Sequence, residues 1–307
     1  MNTPEPRDTG LPTNRRASPP EWSPPLPDAP GFEHFAVETP GLRRHVAMIG
    51  DGEPVVMLHG LPMHWWQWRE IGPRLAAAGY RVICPDQRGF GWTEDDGARL
   101  EPETWLHDLL TMFDALELDR VRVVCHDMGA ISAMQLAYAH PERVRATVTM
   151  AVPPGFMSFS PSLFPNFAHI PPLMRHRPGA PLDWLFDEQH IAHRLSDEML
   201  DAYLSPYARP GLDAAIPELY RRVVMPLVLQ MMRGTYKRQR LMPPNLFVFG
   251  DHDGAFTEDR LRRLCGDLSR YAEHAELAFV DDARHFVTDD QPEAVTELVV
   301  DFFDRVG

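Results

Sequence analysis

The run Val123-Val124-Cys125-His126-Asp127-Met128-Gly129-Ala130 decides how this chain folds. Its first half ends a nearly all-apolar stretch, residues 121–125, of the kind that forms strands buried on both faces. Its second half opens a helical pattern over residues 129–139. Small residues stand two before and two after Asp127, as a sharp strand–turn–helix requires, and such a turn pushes the central side chain into the open. An aspartate that merely caps the next helix is the competing reading. The rest of the sequence decides between them.

Upstream of this stretch, residues 32–37, 43–48, 54–58 and 80–84 read as strands, the first two as a hairpin, with helices over 68–78 and 103–118. In the second helix Trp105, Leu109, Met112, Phe113 and Leu116 share one face. Downstream come strands at 146–152, 246–249 and 276–280 and helices at 257–271 and 292–305. Val295, Leu298, Val299, Phe302 and Phe303 give the last helix its buried side. This alternation predicts an α/β fold, a mostly parallel eight-stranded sheet with helices on both faces.

Residues 153–240 break the rhythm. They are rich in Pro and Met and carry ten basic against eight acidic residues, 10 − 8 = +2, leaving −14 − 2 = −16 for the remainder. They are expected to form a helical cap inserted after strand six, over the carboxyl edge of the sheet, where ligands of such sheets bind. The core is then 32–152 with 241–307. Residues 1–31 hold nine prolines and read as a flexible arm with too little apolar surface to offset its ordering entropy; a strap anchored by Trp22 is the alternative.

The composition of the 307 residues, 44% hydrophobic and 24% charged, is that of a globular protein. A balance of 30 − 44 = −14 disfavours nucleic acid or an anionic membrane as partner. No apolar run approaches the ~18 residues that span a bilayer, and no signal-peptide pattern is present. Cys84, Cys125 and Cys265 make neither a disulfide framework nor a four-cysteine zinc site, so a cytoplasmic location is expected. No glycine loop cradles phosphate, and His252 between Asp251 and Asp253 lacks a complete ligand set. Neither cofactor nor metal is expected, and the chain is expected to be a monomer or homodimer.

Three further motifs fall at predicted strand ends. His59-Gly60-Leu61-Pro62 follows the third strand, Gly250-Asp251-His252-Asp253 the seventh, and Arg284-His285-Phe286 the eighth. Nucleophile, acid and histidine in that order is the chain order of α/β-hydrolases. With these motifs and Asp86-Gln87-Arg88-Gly89-Phe90-Gly91, the stretch 31–307 resembles the α/β-hydrolase superfamily, and within it the epoxide hydrolase and haloalkane dehalogenase branch. Cys125, Met128 and Arg284 depart from the residues usual there.

An aspartate at the elbow has a chemical meaning of its own. Its carboxylate, with a reference pKa of ~3.9, is ionised without the help of a base. Attack on an ester or amide would give an anhydride, whereas attack on an electrophilic sp³ carbon gives a stable ester. His285 would then activate water and Asp253 would hold the imidazole. The backbone N–H groups of Leu61 and Met128 would form the oxyanion hole. The leaving group separates the two chemistries. Neither the Leu61 nor the Met128 side chain donates an N–H to a halide, as the resembling dehalogenases do. An epoxide oxygen needs a proton, and the cap holds Tyr203, Tyr207, Tyr220 and Tyr236. Tyr220-Arg221 resembles the second cap tyrosine of epoxide hydrolases; where the first is expected, His169 stands nearby. The resemblance implies an epoxide hydrolase acting on a small lipophilic epoxide and water. A dehalogenase using the same Asp127, or a low-turnover binding protein of the same fold, is the alternative. Cap methionines such as Met157, Met225 and Met231 would shape an adaptable pocket or fill the core. Asp86 and Arg88 are expected to pair with each other.

Overall fold

The computed structural model describes residues 21–95, 97 and 99–307. Its nine strands are β1 (Glu33–Thr39), β2 (Leu42–Ile49), β3 (Glu53–Leu58), β4 (Tyr80–Pro85), β5 (Glu94–Asp95), β6 (Val121–His126), β7 (Val144–Met150), β8 (Asn245–Gly250) and β9 (Ala275–Val280). They form one sheet in the order β1-β2-β4-β3-β6-β7-β8-β9. The pairs β1·β2 and β2·β4 are antiparallel, and all pairs from β4 to β9 are parallel. Eight of these strands are the expected ones. The ninth, β5, is a two-residue strand on β2, too short to show any periodicity.

The helices are α1 (Ile71–Ala77), α2 (Pro102–Ala115), α3 (Gly129–Ala139), α4 (Ile170–Leu173), α5 (Asp197–Leu204), α6 (Pro210–Leu219), α7 (Met225–Met232), α8 (Glu258–Cys265), α9 (Val287–Asp290) and α10 (Pro292–Val306). Successive strand residues point to opposite faces, so β3 feeds two cores. Val56 and Leu58 pack with Met112 and Phe113 of α2 and Ala133 and Leu136 of α3. Val55 and Met57 lie in the opposite cluster with Leu75 of α1 and Val299 and Phe303 of α10. Helices on both faces explain the unbroken burial of β6.

Three helices are shorter than their patterns, and α2 ends at Ala115, before the expected 118. α8 stops at Cys265, short of the expected 271, because Gly266 turns the chain out of the helix at φ +64° and ψ −140°, which glycine alone adopts readily. The Trp65–Trp68 stretch is a separate 3₁₀ turn before α1. Between β7 and β8 the chain forms the cap. There α6 and α7 are joined by a π-helical turn, Tyr220–Val224, just before Pro226, which has no N–H to give to the ladder.

The expected flexible arm is corrected for residues 21–31. Trp22 meets His45 edge-on at 4.7 Å, the Trp92 Nε1–H donates to the Pro24 carbonyl at 2.5 Å, and the Trp66 Nε1–H to the Asp28 carbonyl at 2.8 Å. Buried indole N–H groups need acceptors, and this strap supplies them. Residues 1–20 of the arm lie outside the described residues. The Asp86–Arg88 pair is corrected too. Arg88 makes two bonds to Asp108 (2.7 and 2.9 Å). Asp86 meets His45 Nδ1 at 2.8 Å and accepts the N–H groups of Trp65 and Trp92. Among the described residues no helix is long and apolar enough to cross a membrane, and the three cysteines are free and buried.

Candidate active site

Asp127 stands between the end of β6 and the start of α3 with φ +45°, a conformation costly for a residue with a Cβ. The strain is held by close packing. A Cβ on Gly129 would lie 2.2 Å from the Leu58 carbonyl oxygen, and one on Gly60 would lie 2.7 Å from Asp127 Cβ. Only glycine lets the β3 loop approach the elbow this closely. The approach brings the Leu61 N–H to Asp127 Oδ2 at 3.0 Å. No bond joins the Met128 N–H to this carboxylate; its side chain lines the same cavity.

The β3 loop is itself fixed. The Gln87 N–H donates to His59 Nε2 (3.1 Å), so the His59 Nδ1–H donates to the Gly60 carbonyl (3.0 Å). Burial lowers the His59 pKa, in keeping with this neutral ring. The Gly60 N–H donates to Gln67 Oε1, and Gln67 Nε2 reaches Thr288 Oγ1 in α9.

His285 lies in the loop after β9, its Nε2 3.8 Å from Asp127 Oδ1 and its Nδ1 3.6 Å from Asp253 Oδ2. Both distances exceed a hydrogen bond, as is common before a ligand draws such a site together. Buried Asp253 Oδ2 has no other partner among the described residues. Burial alone would lower the His285 pKa; the carboxylates of Asp253 and Asp127 outweigh it and raise it above 6.5. Burial would likewise raise that of Asp127, but His285, His126 and the Leu61 N–H hold it below 3.8. Asp251 faces elsewhere, accepting the Ala283 N–H at 3.3 Å. Arg284 turns toward the His252 carbonyl and does not line the cavity.

Above the elbow lies a cavity of about 230 Å³ enclosed by the cap. Its wall is mainly apolar, with Ile131, Val152, Phe159, Leu227 and Met231, and holds no Lys or Arg. Asp127, Asp253, His285, His169 and Tyr220 all line it. Tyr220 is the only cap tyrosine there. Tyr203 donates to Asp289 and accepts from Arg69, a cap-to-core latch; Tyr236 donates to Gln230; and the buried Tyr207 hydroxyl has no partner among the described residues. The Tyr220 and His169 rings meet edge-on at 6.0 Å. Burial pushes Tyr220 well above 10, helped by Asp127, and lowers His169 to about 4. The phenol is thus held protonated and the imidazole neutral.

Sequence reasoning missed three groups. His126 lies beneath the site, its Nε2–H donating to the His285 carbonyl at 2.9 Å, and burial lowers its pKa to about 4. Gln189 and His190, from the loop before α5, also line the cavity. The Asp187-x-x-His190 spacing was the one available signal. Among the described residues no cluster of His, Cys, Asp or Glu is placed to hold a metal.

A parallel sheet carrying a carboxylate on a left-handed elbow, opposite a histidine from the last strand's loop, defines a capped hydrolase-type scaffold. The sequence profile of the alpha/beta hydrolase fold family matches residues 53–292, and the chain belongs to that family. It is 40% identical over 124 residues to "Epoxide hydrolase 3" of Siraitia grosvenorii, a match spanning 39% of each chain. It is 25% identical over 293 residues to "Soluble epoxide hydrolase" of Corynebacterium sp. (strain C12), covering 88% of this chain and 96% of the relative. Among solved structures, one from Pseudomonas aeruginosa described as a candidate epoxide hydrolase aligns at 26% identity with a TM-score of 0.78, over 91% of this chain and 98% of that one.

Proposed function

We propose that the protein is an epoxide hydrolase that opens a small, uncharged, lipophilic epoxide through an ester on Asp127. The observation that carries this reading is Asp127 itself, a carboxylate kept ionised at a strained elbow, with one oxygen on the Leu61 N–H and the other facing His285. A carboxylate so placed attacks an sp³ carbon and leaves its own carbonyl oxygen beside the Leu61 donor. Tyr220, with His169 beside it, gives the ring oxygen a proton as the C–O bond breaks. His285 then takes a proton from water, and Asp253 stabilises the imidazolium. The cavity has no Lys or Arg to receive an anionic substrate. Three free cysteines fit a reducing cytoplasm. The names of the relatives point the same way.

The dehalogenase reading is disfavoured because no side-chain N–H from Leu61 or Met128 is available to a departing halide. The decisive experiment is single turnover in ¹⁸O water with excess enzyme, using styrene oxide. That single turnover should place label in the peptide that contains Asp127 and leave the diol unlabelled. Label found only in the diol would mean direct attack by water, and halide release from bromoalkanes without diol from epoxides would favour dehalogenation.

A further inference from the structure

Counting protons through the proposed reaction exposes a gap. In ring opening the Tyr220 O–H proton moves to the epoxide oxygen, leaving a phenolate. In ester hydrolysis water loses a proton to His285 and its oxygen joins the ester carbon. The acyl C–O bond then breaks, the carboxyl proton passes to the departing diol oxygen, and Asp127 is a carboxylate again. The products balance, but the enzyme does not: one proton is left on His285 and one is missing from Tyr220. One group belongs to the core and the other to the cap, so each cycle must reset both, either through bulk water or by transfer across the cavity.

His190 is placed for that transfer. Its ring lies 6.4 Å from that of His285, nearly perpendicular to it, and both line the cavity. The gap is suited to one bridging water. Asp187 Oδ1 stands 2.7 Å from His190 Nδ1, which places the Nδ1 proton on the carboxylate side and leaves Nε2 to accept. The same carboxylate supports the imidazolium when it forms, as in an Asp–His pair elsewhere. The loop is tied to the His285 loop itself: the Phe286 N–H donates to the His190 carbonyl at 3.0 Å, and Asp290 accepts the N–H groups of Ala192, His193 and Arg284. On the far side His169 stands edge-on to Tyr220, and both line the same cavity as His190 and His285.

We infer that His190, oriented by Asp187, carries the proton left on His285 back toward the His169–Tyr220 pair after each turnover. This rests on the epoxide reading and adds a step to it, one that falls after diol formation. Loss of His190 should therefore spare the first turnover and slow the later ones.

The test compares rapid-quench first turnover with steady state for the full-length wild type, His190→Ala and His190→Gln, with styrene oxide as substrate. Glutamine can still bond Asp187 but cannot carry a proton, so it guards against a collapsed loop. Both variants should form the Asp127 ester and the first equivalent of diol at the wild-type rate. Steady-state kcat should fall about tenfold, less than the hundredfold or more lost with a donor in the chemical step, and added imidazole should restore it for the alanine variant. His193→Gln, at the exposed neighbour that pairs with Asp282, should change neither phase. An unchanged kcat in both His190 variants overturns the inference. So does an equal slowing of the first turnover, which would mean that His190 only holds its loop. If the wild type forms no diol at all, the epoxide reading fails and takes this step with it.

Discussion

The floor and the roof of the cavity are built by different means. On the floor, backbone groups take part in every link: the strained elbow, the Gly60–Leu61 turn and the His59–Gln87 pair are joined by hydrogen bonds between main chain and side chain and by contacts of under 3 Å that admit only glycine. On the roof, side chains do the positioning. Tyr220 projects from a π-helical turn, and His169 stands at the start of α4, among apolar neighbours and with no motif of comparable strictness. A floor so packed holds the Asp127 carboxylate and the Leu61 N–H in one arrangement. A roof fixed by side chains can be reshaped without disturbing the floor.

The sharpest way to break this contrast is at the acid. Asp253→Asn should slow ester hydrolysis about a thousandfold and let the Asp127 ester accumulate, while Asp251→Asn should have a far smaller effect; rapid-quench mass spectrometry of the intermediate checks both. The reverse ranking would show that the turn after β8 has been misassigned. On the roof, Tyr220→Phe should suppress ester formation about a hundredfold and leave hydrolysis of a preformed ester nearly unchanged. His169→Ala should cost less, because its ring acts beside the phenol. If Tyr203→Phe impairs ester formation more than Tyr220→Phe, the roof has been drawn wrongly.

The two regions should also titrate differently. His285 acts as a base only when neutral, and its carboxylate neighbours raise its pKa. Asp127 is uncharged while esterified and Asp253 alone then supports the imidazolium, so the hydrolysis rate should rise with pH and fall away on the acid side. Tyr220 acts only when protonated, and burial pushes it well above 10, so ester formation should show no alkaline decline as pH passes 10. Stopped-flow rates for the two steps, measured between pH 5 and 10.5, would reveal a shared midpoint if the regions were not independent.

The floor was also the more legible part of the sequence. The elbow, the His-Gly turn and the Arg284-His285 segment are local patterns whose spacing reflects backbone geometry, and the eight main strands could be read from their apolar runs. What escaped was non-local. Asp86 and Arg88, close in sequence, are expected to pair, yet Asp86 meets His45, 41 residues away. His190 reaches the cavity through a loop with no periodicity. Helix α8 ends at Gly266 although the charged and apolar pattern around it runs on, because one glycine at positive φ outweighs a pattern. The name carried by the relatives is the one to which the motifs pointed.

The strap over residues 21–31 has a consequence for how this protein can vary. Its two hydrogen bonds to the core are made by main-chain carbonyls, those of Pro24 and Asp28, and every amino acid supplies a carbonyl. Substitution along the strap is therefore tolerated wherever the path of the chain is kept, except at Trp22, Leu26 and Ala29, whose side chains pack on the core. Deletion is another matter. A chain begun after Asp28 leaves the Trp92 and Trp66 indole N–H groups without these acceptors, at about 1–3 kcal/mol for each that stays dry. In this segment presence matters more than spelling.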